Sequence, residues 1–419
     1  MADMRVSPGP LGGRVTAMPS KSQAHRAVIC AALAEGESRI SHIELSKDIS
    51  ATLACVEALG LADHRWEGET LVICGGKKAA PGKVSLPCGE SGSTLRFIIP
   101  LAAHLADEAE FICEGRLSER PLEPLKSLLA KKGVTWLSGH RITGKPAAGE
   151  YALAGNVSSQ FVSGLLFLLP LLKGDSTIAL TTRLESAGYV AMTRQTQQEF
   201  GVQSRWVDER TLQVAGGQKY LPQNTRVEGD YSHAAFYAVA GALHGDIRVE
   251  GLREDSLQGD KAVLDILTRM GANICREADG TLRFGKSRLK GIDMDVSQTP
   301  DLVPALAVAA AAAQGTTRIT GAGRLRIKEC DRLSAVADAL TRMGVRVEEE
   351  REGLIIHGGT PLKGAVIHTY NDHRMAMAMA VAATVAEGDS MIENAGCVAK
   401  SAPCFWQELA SIGGKLSEQ

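Results

Sequence analysis

The chain has 419 residues, with 46 Lys and Arg against 48 Asp and Glu, and a formal net charge of −2 at pH 7. This length is large for a single hydrophobic core and suits two domains. The balanced charge excludes bulk electrostatic attraction to nucleic acid or to a membrane surface. Aromatic residues make up only 4% of the chain, which leaves few platforms for stacking bases. We expect neither a nucleic-acid partner nor membrane association.

Targeting segments and metal sites are not indicated either. The N-terminal segment MADMRVSPGPLGG lacks an apolar core, and the longest apolar stretches, 161–172 and 302–313, are shorter than the ~20 residues needed to cross a bilayer. Nine cysteines without a CxxC pair indicate neither a disulfide framework nor a zinc site. We therefore expect a cytoplasmic protein with reduced thiols, no metal and no cofactor.

One unit of roughly seventy residues recurs six times along the chain. Each copy opens with an apolar helix, and these helices are SQAHRAVICAALAEG, STLRFIIPLAAHLAD, SSQFVSGLLFLLPLLKG, SHAAFYAVAGALHG, DLVPALAVAAAAAQG and HRMAMAMAVAATVAEG. A β-branched strand and an amphipathic helix follow in each copy, and a hairpin with a polar tip follows in the first five. The repeat predicts an α/β fold of α-β-α-β-β units, with a further strand leading into the next copy.

The sixth copy is incomplete, because the chain ends after CFWQELASIGGKLSEQ without the strands that should follow. We expect MRVSP and GRVTAMP, at the N-terminus, to complete this last unit. The prediction is two domains of three units each, one over 20–227 and one joining 1–19 to 228–419. The hinge would lie near 19–20 and 227–229. A cleft between two hinged domains suits an enzyme that closes over its ligands.

Polar residues gather where the six apolar helices begin. A helix start presents free backbone N–H groups and the positive end of the helix dipole, so six starts facing one space would bind anions. The residues concerned are Lys21, Ser22, Arg26, Gly92, Ser93, Arg96, Ser158, Ser159, Gln160, Asp230, Ser232, His233, Asp301, Asp372, His373 and Arg374. Capped helices with solvated charges would explain any one of these sites, with Ser22 as the first cap.

Three loops add further charged residues. RLSERP carries Arg116 and Arg120, and CVAKSAP carries Lys400. RLRIKECDRL is predicted as a strand that turns into a helix, with Arg326 and Lys328 on one face and Glu329 on the other face or at the turn. A surface charge run is the alternative, although this segment lies between two apolar stretches.

A set of motifs occurs together and in order over essentially the whole chain: SKSQAHRA, SGSTLRF, ERP, SSQF, EGDYS, TPD, IKECDRL, YNDHRMAMA and the late Lys400. The set resembles the 5-enolpyruvylshikimate-3-phosphate synthases of the enolpyruvyl transferase family. The resemblance implies a two-domain inside-out α/β barrel of six βαβαββ repeats, three per domain. It also implies transfer of the enolpyruvyl group of phosphoenolpyruvate to the 5-hydroxyl of shikimate 3-phosphate. Phosphate is released in this step of chorismate and aromatic amino acid biosynthesis. We expect the protein to be a monomer.

The resemblance further implies roles for single residues. Those implied to hold shikimate 3-phosphate are Lys21, Ser22, Arg26, Ser158, Ser159, Gln160, Ser186, Asp301 and Lys328. Those implied to hold phosphoenolpyruvate are Lys21, Gly92, Arg120, Gln160, Arg332, Arg374 and Lys400. The addition and elimination steps need acid and base groups rather than a nucleophile. We expect Asp301 to handle the hydroxyl proton and Glu329 the methyl proton, with Lys21 assisting. No metal is implied, since the cations are already in the protein.

Five residues depart from the family pattern. Glu90 and Arg324 stand where Asn occurs in the family, Ser93 where Thr is frequent, and Ala187-Gly188 where Lys or Arg followed by Pro is common. These departures affect fine contacts and inhibitor sensitivity.

Other functions remain open at this point. A UDP-N-acetylglucosamine enolpyruvyl transferase shares the fold, but usually has Lys-Asn at the first helix and a reactive Cys five residues before the loop Arg-Pro. Here Ser22 follows Lys21, Gly115 occupies the loop position, and Cys113 is predicted as a buried thiol in a strand. A non-catalytic phosphosugar-binding relative and a member of the RNA-cyclase-like branch are the remaining alternatives.

Overall fold

The computed structural model describes residues 3–77, 82–137 and 140–419, and its chain divides into two compact units. The first unit is Pro19–Val227, and the second unit joins the chain up to Met18 to Glu228–Gln419. Each unit has its own cluster of buried apolar side chains. Residues 1 and 2, which the sequence places with the second of these regions, lie outside the described residues.

The described residues contain two helices in each repeat, a long apolar one and a more polar one. In chain order they are α1 (Lys21–Leu33), α2 (Lys47–Ala58), α3 (Gly92–Leu105), α4 (Leu125–Ala130), α5 (Ser159–Leu168), α6 (Ala187–Glu199), α7 (Tyr231–His244), α8 (Val263–Arg269), α9 (Val303–Ala312), α10 (Arg332–Arg342), α11 (His373–Ala383) and α12 (Phe405–Ser411). The first helix of each repeat is buried on nearly all sides, which explains why it is apolar all round. None of the described helices is long and apolar enough to cross a membrane.

The strands are short and numbered along the chain. They are β1 (Met4–Ser7), β2 (Gly13–Thr16), β3 (Gly36–Ser41), β4 (Asp63–Glu67), β5 (Thr70–Gly75), β6 (Lys83–Gly89), β7 (Glu108–Cys113), β8 (Val134–Trp136), β9 (Arg141–Gly144), β10 (Glu150–Leu153), β11 (Ser176–Leu180), β12 (Ser204–Trp206), β13 (Thr211–Val214), β14 (Asn224–Arg226), β15 (Ile247–Glu250), β16 (Asn273–Arg276), β17 (Leu282–Gly285), β18 (Asp293–Asp295), β19 (Gly315–Thr320), β20 (Arg346–Glu350), β21 (Gly353–Gly358), β22 (Val366–Ile367), β23 (Ser390–Ile392) and β24 (Lys415–Glu418).

Within the described residues the strands form six four-stranded sheets of one pattern. In the second repeat the order is β6-β7-β9-β8: β6 pairs with β7 in parallel, and the β8–β9 hairpin adds to β7 antiparallel. The first unit holds this sheet together with β14-β3-β5-β4 and β10-β11-β13-β12. The second unit holds β2-β15-β17-β16, β18-β19-β21-β20 and β22-β23-β1-β24. Each repeat is thus a βαβαββ unit.

The two N-terminal strands join different sheets, so the expectation that both complete the last repeat is wrong for one of them. β1 lies between β23 and β24 in the sixth sheet, with Val6 opposite Ser390 and Leu416. β2 pairs in parallel with β15 of the fourth repeat, with Val15 opposite Val249. The C-terminal residues form the strand β24, which the sequence reading left out.

The strands that precede α1 and α7 along the chain are exchanged between repeats. β2 comes before α1 in sequence but pairs in the fourth sheet, whereas β14 comes before α7 but pairs in parallel with β3 of the first sheet. A short strand can pair in parallel with any sheet that has an open edge strand running in the same direction, provided that its own backbone is extended. The short strand β2 offers no side-chain pattern that distinguishes the fourth sheet from the sixth.

Candidate active site

Arg26 is the most deeply buried cation of the first unit, at 2% exposure. Its Nε donates to Thr193 Oγ1 at 2.8 Å and its Nη2 to the Tyr189 carbonyl at 2.9 Å, while Nη1 donates to the Ser22 carbonyl. Burial lowers the pKa of Arg26 to about 10, which still leaves it protonated at neutral pH. Because these partners are neutral, they hold the guanidinium in place without cancelling its charge, as an anion-binding group requires.

The start of α1 carries a second cation. Ser20 is the N-cap, because its Oγ accepts from the Gln23 backbone N at 3.4 Å, so the prediction of a Ser22 cap is wrong by two residues. Ser22 lies instead in the first turn. Lys21 Nζ contacts Asp48 Oδ2 at 2.7 Å. The sequence reading missed Asp48, because an acidic residue in the first turn of α2 is also what helix capping favours.

The start of α3 brings two arginines and a glutamine together. A Cβ on Gly92 would lie 2.9 Å from Arg120 Nη1 and 3.3 Å from Arg96 Nη1, so a larger residue at this position would displace the ends of both guanidinium groups. Arg96 Nη1 donates to Gln160 Oε1 at 2.6 Å, and Gln160 Nε2 donates to Ser93 Oγ at 2.9 Å. Three of the residues expected to hold phosphoenolpyruvate are therefore neighbours, and Arg96 joins them.

Serine hydroxyls mark the starts of α5 and α6. Ser158 caps α5 by accepting from the Gln160 backbone N at 3.3 Å, and Ser159, the first residue of the helix, is buried. Ser186 precedes α6 with φ 53° and ψ 45°, a left-handed backbone conformation that residues other than glycine rarely adopt. Such backbone strain is concentrated at functional sites.

Arg332 is the centre of the polar cluster in the second unit and is 1% exposed. Its Nε donates to Asp372 Oδ2 at 2.6 Å, its Nη1 to Asp301 Oδ1 at 2.8 Å and its Nη2 to Glu329 Oε2 at 2.8 Å. Burial would lower its pKa, but the three carboxylates together raise the pKa of Arg332 well above its usual value. One permanently charged guanidinium therefore orients both carboxylates expected to move protons.

Asp301 contacts two further cations. Lys328 Nζ lies 3.4 Å from its Oδ1, and Arg374 Nη2 lies 3.6 Å from its Oδ2. Burial alone would raise the pKa of Asp301, but the charges of Lys328, Arg374 and Arg332 outweigh burial and hold it well below the usual range. Burial lowers the pKa of Lys328, partly offset by Asp301. Asp301 is therefore ionised at neutral pH and can accept a hydrogen bond from a hydroxyl.

The segment expected as a strand before α10 is a 3₁₀ turn, Gly323–Ile327. With about three residues per turn, side chains do not alternate between two faces, and this part of the prediction is wrong. Arg326 contacts Asp331 Oδ2 at 2.9 Å rather than sharing a face with Lys328. Arg324 Nη2 donates to the Ser297 carbonyl.

The start of α11 completes this cluster. Asp372 caps the helix by accepting from the Arg374 backbone N at 2.9 Å, and Arg374 Nη1 donates to the Asp301 carbonyl at 3.2 Å. The sequence marks Asp372 only as a polar residue at a helix start, because its contact with Arg332 joins positions 40 residues apart. Lys400 is 5% exposed and ends the 3₁₀ turn Ala395–Lys400, which packs against α11.

Two further observations concern a cysteine nucleophile and residues that could hold a metal ion. Cys113 ends β7 half-buried, and burial raises the pKa of its thiol to about 12, which leaves almost no thiolate to act as a nucleophile. Within residues 3–77, 82–137 and 140–419, no group of three or more His, Cys, Asp or Glu is arranged to hold a metal ion.

Sequence comparisons agree with the motif set. Residues 6–409 match the family model of EPSP synthase (3-phosphoshikimate 1-carboxyvinyltransferase). A relative from Clostridium novyi (strain NT), named 3-phosphoshikimate 1-carboxyvinyltransferase, is 42% identical over 431 residues, covering 100% of this chain and 99% of its own. One of the same name from Clostridium acetobutylicum is 43% identical over 423 residues, covering 99% of this chain and 98% of its own.

Solved structures show the same fold. The EPSP synthase of Acinetobacter baumannii superimposes with a TM-score of 0.83 at 27% identity and covers 100% of both chains. The enolpyruvyl transferase NikO of Streptomyces tendae, at 18% identity, has a TM-score of 0.81 over 100% of this chain and 99% of its own. The predicted inside-out α/β fold of six βαβαββ repeats is confirmed, and the chain belongs to the EPSP synthase family of transferases.

Proposed function

We propose that this protein transfers the enolpyruvyl group of phosphoenolpyruvate to the 5-hydroxyl of shikimate 3-phosphate and releases phosphate, a step of chorismate and aromatic amino acid biosynthesis. Membership of the family supports the reaction class. The observation that carries the chemistry is the pair of carboxylates, Asp301 and Glu329, held by the one buried guanidinium of Arg332. Such a pair suits two separate proton transfers.

Each substrate carries a phosphate and a carboxylate, so four anionic groups must be held. Residues proposed for shikimate 3-phosphate are Lys21, Ser22, Arg26, Ser158, Ser159, Gln160, Ser186, Asp301 and Lys328. Those proposed for phosphoenolpyruvate are Lys21, Gly92, Arg120, Gln160, Arg332, Arg374 and Lys400. The neutral partners of Arg26 support this assignment, since they leave its positive charge available to a ligand.

Addition comes first in the proposed mechanism. The methylene carbon of the enol takes a proton from the Lys21 ammonium group, the substrate hydroxyl oxygen bonds to the neighbouring carbon, and Asp301 takes the hydroxyl proton. When the substrates bind, their phosphate and carboxylate groups screen part of the positive charge of Lys328 and Arg374. Both cations depress the pKa of Asp301, so this screening makes Asp301 a stronger base once the substrates are bound.

Elimination follows from the tetrahedral adduct. Glu329 takes a proton from the new methyl group, the carbon–oxygen bond to phosphate breaks, and the enol ether forms. Lys21, whose ammonium group is held by Asp48, assists the proton transfers. The reaction needs no bound metal in this proposal, because side-chain cations neutralise the anionic groups.

Phosphate release tests the proposal directly. The purified protein is mixed with phosphoenolpyruvate and either shikimate 3-phosphate or UDP-N-acetylglucosamine, and free phosphate is followed with time. We expect release with shikimate 3-phosphate, little release with the Asp301→Asn variant, and wild-type release with Glu352→Gln, whose side chain is 66% exposed. Release only with UDP-N-acetylglucosamine would overturn the assignment in favour of the sister enzyme.

Three further expectations belong to this proposal. The protein is expected to be a monomer located in the cytoplasm, which light scattering after gel filtration and cell fractionation would check. The domain division at 20–227, with hinges near 19–20 and 227–229, is proposed to permit closure over the substrates. Hydrogen exchange at these two segments with and without ligand would measure that motion.

A further inference from the structure

The start of α7 carries a polar network that the proposed mechanism does not use. Asp230 caps the helix: its Oδ1 accepts from the backbone N of Ser232 at 2.7 Å and of His233 at 3.1 Å. The Ser232 hydroxyl donates to Asp260 Oδ2. Asp260 is 3% exposed and lies in the 3₁₀ turn Gly259–Ala262. A carboxyl group so fully removed from water is costly to keep ionised without a cation beside it.

The turn that holds Asp260 lies against the segment that leads to Asp301. A Cβ on Gly259 would be 3.4 Å from the Gln298 carbonyl oxygen and 3.9 Å from Thr299 Cγ2. Asp301 follows Thr299 by two residues and lies in the 3₁₀ turn Pro300–Leu302. This turn packs against α7, as does the turn that holds Asp260. Asp260 and Asp301 thus belong to two neighbouring 3₁₀ turns that both pack against α7.

Gln258 fixes this arrangement. Its Nε2 donates to the Gly229 carbonyl at 2.7 Å, and its Oε1 accepts from the Tyr231 backbone N at 2.9 Å. Both contacts attach the turn to the segment that begins α7. Asp260 therefore has little freedom to rotate away from Ser232 or to move toward solvent.

We propose that Asp260 is a positioning residue that carries a proton while anionic substrate binds, and that its ionisation places a competing negative charge beside Asp301 and Arg374. This inference rests on the proposed function. Burial, and then the charge of Asp301, raise the pKa of Asp260 to about 7. Arg374 and the Ser232 hydroxyl act in the opposite direction, and Asp230 adds to the increase.

The charge balance of the cluster explains why the proton matters. The ion pairs around Arg332 and Asp301 set three cations against three carboxylates: Lys328, Arg332 and Arg374, and Asp301, Glu329 and Asp372. A neutral Asp260 leaves the charge of this cluster unchanged, whereas an ionised Asp260 adds one negative charge to it. Binding of phosphoenolpyruvate through Arg374 should then weaken as the pH rises through about 7.

Asp260→Asn tests this, because Asn keeps the shape and an acceptor for Ser232 but cannot ionise. KM for phosphoenolpyruvate is measured from pH 6 to 9 for the wild type, for Asp260→Asn and for Asp265→Asn, which makes the same charge change at an exposed position of α8. Between pH 6 and 9, we expect KM to rise about tenfold more in the wild type and in Asp265→Asn than in Asp260→Asn. A factor of about ten is the order of magnitude for the effect of one nearby charge on the binding of an anion. Parallel profiles for all three proteins would overturn the proposal.

Ser232→Ala supplies a second variant. It removes the donor that favours the ionised form of Asp260, so the rise in KM should move to higher pH. A shift to lower pH, or none, would contradict the proposal.

Unfolding provides a readout that does not depend on catalysis. An unfolded Asp has a pKa of about 3.9, so between about pH 4 and 7 the folded wild type retains a proton that the unfolded chain has lost. Its free energy of unfolding should therefore decrease across this interval relative to Asp260→Asn. Identical pH dependence of the two proteins would overturn the inference on Asp260. A wild type that shows this difference but releases no phosphate would contradict only the proposed function.

Discussion

Two buried arginines, one in each unit, differ in their partners: Arg26 of the first unit donates to neutral groups, whereas Arg332 of the second unit donates to carboxylates. Arg26 donates to a threonine hydroxyl and two backbone carbonyls, and Arg96 donates to the amide of Gln160. Arg332 instead donates to three carboxylates. Both arrangements satisfy buried donors, but the groups that accept from Arg26 carry no charge, whereas those that accept from Arg332 are negative. We therefore expect Arg26 to bind a substrate anion and Arg332 to orient the carboxylates that move protons.

The largest expected effect tests proton control in the second unit. Glu329→Gln keeps an acceptor for Arg332 but removes the group proposed to take the methyl proton. We expect kcat to fall by roughly 10²–10⁴-fold, the usual contribution of a general base, with little change in the dissociation constant for shikimate 3-phosphate. Steady-state kinetics and calorimetric titration measure the two quantities, with Glu352→Gln as the exposed control. Turnover near that of the wild type would rule out Glu329 as the proton carrier.

A smaller effect tests whether the carboxylates also stabilise the second unit. Asp372 is fully buried against Arg332, and breaking a buried ion pair costs about 3 kcal/mol or more. Because Arg332 retains Asp301 and Glu329, we expect Asp372→Asn to lower the free energy of unfolding by about 3 kcal/mol, measured by urea denaturation. Asp255→Asn, at an exposed pair with Arg253, should leave the midpoint nearly unchanged. Equal changes in both variants would show that the buried pair adds no net stability.

The smallest effect concerns the neutral partners of the first unit. Arg26→Lys keeps the charge but loses the planar group that reaches Thr193, Tyr189 and Ser22 together. We expect the dissociation constant for shikimate 3-phosphate to rise about tenfold, with a smaller change in kcat, consistent with loss of hydrogen bonds to a charged group. Arg205→Lys, on exposed β12, is the matched control. Unchanged binding by Arg26→Lys would mean that positive charge alone suffices there.

Much of the fold and part of the site could be predicted from sequence. The apolar helices are recognisable because they are buried on nearly all sides, and Lys21, Arg26 and Arg374 stand out as charges at their starts. Asp48 could not be assigned a role, since an Asp in a first turn is equally explained by capping and its contact with Lys21 spans 27 residues. Asp260 was missed because its proton depends on burial, which only the packed chain determines.

Local geometry explains the remaining errors. The residues before α10 have the alternating character of a strand, yet the chain turns too tightly there for alternation to apply. The partner of β2 depends on which sheet has an open parallel edge, a property of the assembled repeats rather than of four residues.

The exchange of β2 and β14 has a consequence for how the gene could be rearranged. The last backbone N–H, of Gln419, donates to the Asp3 carbonyl at 3.0 Å, so the two ends of the chain are adjacent. A circular permutant that begins at Glu228 and joins 419 to the N-terminus by a short linker would encode the second unit without interruption, followed by the first. Its polypeptide would pass between the units once instead of twice, with every strand pairing in the six sheets retained.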